Sequence, residues 1–237
     1  HAYSNSDFTF TGRQGVLSEL IWDNNSGWPA FKYGSTPPAQ GESPIKVAQK
    51  QNLNVSANFE KEEKQIPWVW DVSQPRPEFK INNGYLQFIV STASTPIGSF
   101  LGLVIKKGTY TFSAECLPQA KVLQCVCVYG DSKNALGFGV SKDSLEIWQV
   151  KDGKRKVVQK RPLPESKSPI TLTLASSKGK FYQFSWKNKN GKTNTIDEVR
   201  LDGTFLPRWD RAPRVGISVR GEDKTPGMIG AVNLQYE

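Results

Sequence analysis

Residues 66–88 read IPWVWDVSQPRPEFKINNGYLQF, and this stretch decides the fold. Trp68 and Trp70 stand two apart, so in an extended strand both rings point to one face. Pro75 and Pro77 follow; each lacks an N–H and has a fixed φ, which stops a central strand from continuing. Phe79 and Ile81 then alternate with polar neighbours. Asn82-Asn83-Gly84 is a tight-turn signal, and Tyr85 to Val90 starts another strand. The pattern predicts the opening of a two-sheet β-sandwich, with the two tryptophans as the first filling of its core.

Working outward, helical periodicity is nearly absent; only 58–64 and 195–197 offer short helical candidates. Strands recur between turn signals, and we place them at 46–55, 66–72, 78–81, 85–91, 100–106, 110–115, 121–129, 135–140, 144–150, 156–160, 170–175, 181–187, 193–197, 214–219 and 231–236. The last is expected to pair back near the first. Residues 1–45 keep a different rhythm. Val16 to Trp22 reads as a strand, Asp23 to Gly27 as a turn and Trp28 to Phe31 as a short return strand. Gly34 to Pro44 has linker composition. A lone hairpin of this kind is marginal in water, so it calls for a partner domain or another chain. The expected division is therefore 1–45, hairpin and linker, and 46–237, sandwich.

A chain of 237 residues buries roughly 70–75% of its unfolded surface, enough for a large core without disulfide staples. No apolar run reaches the roughly 18 residues a membrane helix needs. Cys125 and Cys127 alternate with Val126 and Val128, as small apolar residues on one strand face do. Pairing of Cys116 with one of them stays open. One His and no CxxC partner speak against zinc. The net charge of +9 admits nucleic acid, anionic membrane or acidic polymer as partners. Its densest run, KDGKRKVVQKR at 151–161, carries Asp152-Gly153, a hairpin signal, and reads as a solvated hairpin tip. No helical, RNP-type or zinc-finger pattern accompanies it, which argues against nucleic acid. A first residue His1 without initiator Met or leader suggests a mature, cleaved or truncated product, so the absence of a leader here says nothing about secretion; the expected location is secreted, periplasmic or cell-surface.

Two sets of motifs carry a resemblance. His1-Ala2-Tyr3 and GRQGVLSELIWDNNSGWPAF (12–31) are similar to the end of the five-bladed propeller of family-43 glycoside hydrolases. The ordered series of Trp68-Val69-Trp70, Gly84-Tyr85-Leu86, GTYTFSAE (108–115), Tyr129-Gly130-Asp131, Gly137-Phe138-Gly139-Val140 and AVNLQY (231–236) resembles the concanavalin A-like sandwich C-terminal to such propellers. The resemblance implies an inverting parent enzyme acting on xylose- or arabinose-containing polysaccharide through three carboxylates. Those carboxylates lie in earlier blades, and no position of this chain matches them. Asp131, Asp143, Asp152, Asp202, Glu222 and Asp223 read as turn or strand-edge acids. The resemblance also makes His1 a candidate for the propeller-channel ion site, calcium in many members. It implies an apolar sandwich residue projecting toward the substrate pocket, for which Phe100 is the nominee.

Sugar binding needs flat apolar ring faces beside polar groups for hydroxyls. Trp148, Phe138, Trp186 and Tyr182 are the strand candidates, with core packing the competing role for each. Alternation puts Phe184 on the face of Tyr182 and Trp186, and Phe181 on the other. Trp209, in PRWDRAP, reads as a loop or rim aromatic. The expected role is a non-catalytic accessory domain that braces the propeller blades and walls the substrate pocket, with no cofactor of its own. The rivals are a stand-alone carbohydrate-binding module and an acidic-polymer interaction domain.

Overall fold

The computed structural model describes residues 10–11, 18–35, 52–60, 66–90, 95–163, 168–188, 191–206, 211–222 and 224–237. A first hairpin pairs β1 (Leu20–Trp22) with β2 (Pro29–Phe31). The sandwich then runs β3 (Val55–Ala57), β4 (Phe79–Asn82), β5 (Tyr85–Ile89), β6 (Ser99–Val104), β7 (Tyr110–Cys116) and β8 (Val122–Asp131). It continues with β9 (Asn134–Val140), β10 (Ser144–Lys151), β11 (Lys154–Pro162), β12 (Ile170–Ser177), β13 (Phe181–Asn188) and β14 (Asn194–Thr195). It ends with β15 (Leu201–Asp202), β16 (Arg214–Gly221) and β17 (Pro226–Tyr236). Among the described residues there is no helix, and the expected two-sheet all-β sandwich is what the chain forms.

One sheet has the order β11-β10-β9-β8-β16-β6; the other runs β14-β13-β12-β7-β17-β5-β4, with β15 on β13 and β3 on β17. Every pairing is antiparallel, and the last strand does return to the first of the sandwich, Val232 opposite Ala57. Turn chemistry sets several registers. Asn83-Gly84 and Asp152-Gly153 are two-residue connections with positive φ at both positions (51° and 76°, 49° and 77°). That left-handed pair matches the twist of the flanking strands.

Between the sheets, alternate residues of each strand meet. Phe112, Leu172, Leu174 and Phe184 face Val126, Leu136, Phe138 and Ile217 across one cluster. Phe138 and Phe184 span the two sheets with ring centroids 5.7 Å apart. Phe10 also packs against this core, over the turn at Gly179, whose missing side chain leaves room for the ring. The six-stranded sheet is unusual in being covered on its outer face as well. There Phe100, Cys125, Cys127, Tyr129 and Trp148 form a second buried cluster, so β8 is buried at nearly every position. All three cysteines are free and buried.

Several expectations are corrected. Residues 66–72 form no strand: Val69 makes only an isolated bridge to Gly102 at the sheet edge beside β6. Trp68 and Trp70 are both half-buried rather than a buried pair. Trp68 packs against the main core, while Trp70 lines a depression outside it. Prolines at 67, 75 and 77 withhold the N–H groups a full ladder needs, so the segment drapes over the edge instead. Thr195 lies in β14, not in a helix. The linker at 36–44 and the strand start at 46–51 lie outside the described residues.

Candidate carbohydrate-contact site

The outer face of the six-stranded sheet gathers most of the aromatic and charged side chains with chemistry to offer. Its register places Trp148, Gly137, Cys127, Gly216 and Gly102 in one row across five strands. The glycines leave a trough, and neighbouring rings fill it. A Cβ on Gly137 would come within 2.6 Å of the Trp148 indole, and one on Gly102 would strike the Phe100 ring. Phe100 in turn stacks flat on Tyr129, centroids 4.4 Å apart at 9°. Arg155 lies 5.1 Å over Trp148 and ion-pairs with Glu146.

Segment 66–77 closes this face. Val69 and Gly102 exchange two backbone hydrogen bonds of 2.8 and 2.9 Å. Asp71 is buried and accepts from Ser73 N at 3.0 Å, Ser73 Oγ at 2.7 Å and Tyr129 OH at 2.8 Å. Burial pushes the Asp71 carboxyl up, but these bonds and the Arg214 charge outweigh it and leave it below the ordinary value. Burial first, and the Asp71 partner second, push Tyr129 well up. The pair is thus a fixed carboxylate and a fixed phenol at neutral pH, a tether rather than an acid/base couple. Trp70, capped by Arg76 at 5.4 Å, lines the remaining hollow with Phe100 and Tyr129. That hollow measures about 30 Å³, room for water rather than for a sugar ring.

A larger concavity of about 360 Å³ opens between Leu53, Pro67, Leu103, Lys106 and Tyr236. Its polar groups are partly engaged: Tyr236 OH accepts from Lys106 N at 3.0 Å. Among the described residues the two concavities hold one carboxylate, Asp71.

The candidate residues fall in different places. Trp148 is 1% exposed and Tyr182 fully buried, its hydroxyl donating to Gly179 O at 3.1 Å. Phe138 is likewise sealed in the core. Packing leaves none of these three rings a free face. Trp186 is half-buried near the end of β13, against the main core and on the face of Tyr182 and Phe184 as alternation predicts. Phe181 takes the other face, with Arg200 at 4.1 Å. Phe100 is 5% exposed, beneath segment 66–77. Trp209 and His1 lie outside the described residues, as does Asp223.

The turn acids do what turn acids do. Asp131 Oδ1 accepts from Lys133 N at 2.8 Å, Asp202 Oδ1 from Thr204 N at 2.8 Å, and Glu222 pairs with Lys121 at 2.8 Å. Asp71 is the residue that reading by pattern missed. Its signal is Asp71-Val72-Ser73, an Asx-turn spacing ahead of the prolines, but the partner Tyr129 is 58 positions away. Among the described residues no three His, Cys, Asp or Glu side chains converge as metal ligands.

No protein-family model and no curated protein matches the chain. Solved structures do. A xylan β-1,4-xylosidase from Bacillus halodurans superposes with TM-score 0.75 at 14% identity, over 98% of this chain and 49% of that one. A GH43 protein from Bacillus licheniformis gives 0.78 at 14%, over 97% and 48%. The Bacteroides ovatus xyloglucan PUL GH43B gives 0.76 at 16%, over 99% and 49%. The chain thus spans about half the length of these three structures, and shares the fold of that half.

Proposed function

We propose that this chain is the C-terminal, non-catalytic portion of a family-43-type glycoside hydrolase. In this reading 1–45 completes a propeller and 46–237 is the accessory sandwich that braces it and helps wall its substrate pocket. The observation that carries it is the fit of 97–99% of the chain onto 48–49% of chains that include a xylan β-1,4-xylosidase. The first hairpin supports it. Trp22 and Trp28 are 73% and 74% exposed, and Leu20, Phe31 and Tyr33 are open beside them. An apolar surface of that kind marks a contact with something else, and the missing blades are the occupant this reading supplies.

The parent would cleave xylose- or arabinose-containing polysaccharide outside the cell, by inversion, with carboxylates from the other half. The test is an assay of aryl β-xyloside and aryl α-arabinofuranoside with the purified 237-residue chain and with the chain joined to the preceding half. The expected result is turnover only by the joined protein. Turnover by the chain alone overturns the reading. Tight binding of xylan by the chain alone, measured by titration calorimetry, would favour an independent binding module instead.

A further inference from the structure

The ribbon β10–β11 carries the densest run of cations in the sequence. Between Ser144 and Pro162 six cations stand against two carboxylates, Glu146 and Asp152, a net +4 out of +9 for the chain. β11 is the outermost strand of the six-stranded sheet. Two of its cations are already paired, Arg155 with Glu146 and Arg161 with Glu198 at 2.7 Å. Lys154, Lys156 and Lys160 are exposed, and among the described residues none has a carboxylate within ion-pair distance.

Register sharpens the excess. Lys154 stands directly opposite Lys151, and like charges facing across a ladder are destabilising. The turn between them donates Gly153 N to Lys133 O at 2.9 Å, which brings the Lys133 residue to the same tip. Edge lysines do deter unwanted strand pairing. Lys151 on the inner strand stacks over the Phe205 ring at 4.5 Å, whereas edge protection does not call for Lys133 beside the turn. Farther along, Lys156 stands opposite Gln149 and Lys160 opposite Glu146, so a bound polyanion would relieve the repulsion at the tip. The exposed apolar residues here are Val157 and Val158, at 43% and 36%, not rings. A nucleic acid would find no aromatic platform for its bases, whereas a carboxylated polymer needs none.

We propose that the β10–β11 ribbon docks a uronate-bearing polysaccharide, its carboxylates pairing with Lys154, Lys156, Lys160 and the lysines of the hairpin tip. That the anion is a carbohydrate rests on the glycoside-hydrolase reading above. The test uses the 237-residue chain in titration calorimetry with polygalacturonate, with its fully methyl-esterified form and with single-stranded DNA. Polygalacturonate should bind, the ester should not, and DNA should bind more weakly. Raising salt from low to physiological strength should weaken binding roughly tenfold. Lys154→Glu/Lys156→Glu/Lys160→Glu should weaken it by at least about tenfold, while Lys187→Glu on β13 leaves it unchanged. Gln at the same three positions, expected to lose less, guards against a reversal that disturbs folding. Failure to bind polygalacturonate, equal binding of the ester, tighter binding of DNA, or wild-type affinity in both triple variants overturns the proposal. Xyloside turnover by the joined protein tests the family reading separately, since none of these lysines enters it.

Discussion

Removing the Asp71–Tyr129 tether should cost more than an ordinary loop hydrogen bond. Tyr129 is 3% exposed and its hydroxyl gives its proton to Asp71 at 2.8 Å. In Asp71→Ala that hydroxyl is left buried without an acceptor, and Ser73 loses two bonds to the same carboxylate. A stranded buried donor costs about 1–3 kcal/mol and a bond to a charged group about 1.5–3. We expect roughly 3 kcal/mol for Asp71→Ala, roughly 1.5–2 for Tyr129→Phe and only about 3.5 for the pair. For a domain of this size about 3 kcal/mol lowers Tm by roughly 6–12 °C. The assay is urea and thermal unfolding followed by far-ultraviolet circular dichroism. The tryptophan fluorescence lost in Trp70→Phe reports separately, because that ring lines the hollow the tether closes. A double-mutant cycle gives the coupling. If the two losses simply add, to within about 0.5 kcal/mol, the tether is not a unit and the reasoning fails.

The same carboxyl predicts a pH dependence. Its folded value is depressed below 3.8, so its contribution is whole above the ordinary range and is lost as pH falls through the folded value. Asp71→Asn should therefore flatten the decline of stability below about pH 4, read from Tm against pH. Phe138→Ala should destabilise by about 3–5 kcal/mol, since its ring spans the sheets to Phe184; a loss under about 1 kcal/mol in urea would contradict the packing. Gly137→Ala should cost about 1–3 kcal/mol because its Cβ would meet the Trp148 ring, with relief in Trp148→Phe. The native protein should react with no thiol reagent and the unfolded protein with three equivalents: all three cysteines are buried, and burial holds the Cys125 thiol up at about 11.

Local order was legible because it is written locally. Alternation fixes which side chains share a face, so Tyr182, Phe184 and Trp186 were grouped correctly and Phe181 set apart. Asn83-Gly84 and Asp152-Gly153 announce left-handed turns that few other pairs accept. Missed or misplaced pieces lie where local rules conflict. The β15 pair Leu201–Asp202 is too short to leave a pattern, and 66–72 has a strand's alternation but prolines that deny it a ladder.

The sequence by itself determined an all-β chain, most strand positions, the hairpin turns and, on β13, which aromatics share one of its two faces. Only the tertiary structure decided which of those faces stay open. Strand pattern leaves Trp148 and Phe100 as candidates for a ligand, with core packing the competing role for Trp148. It cannot say that segment 66–77, bound through Asp71 to a tyrosine 58 positions later, comes down over that outer face. Burial is a property of contacts between distant segments, and no repeat along one strand encodes what another segment will cover.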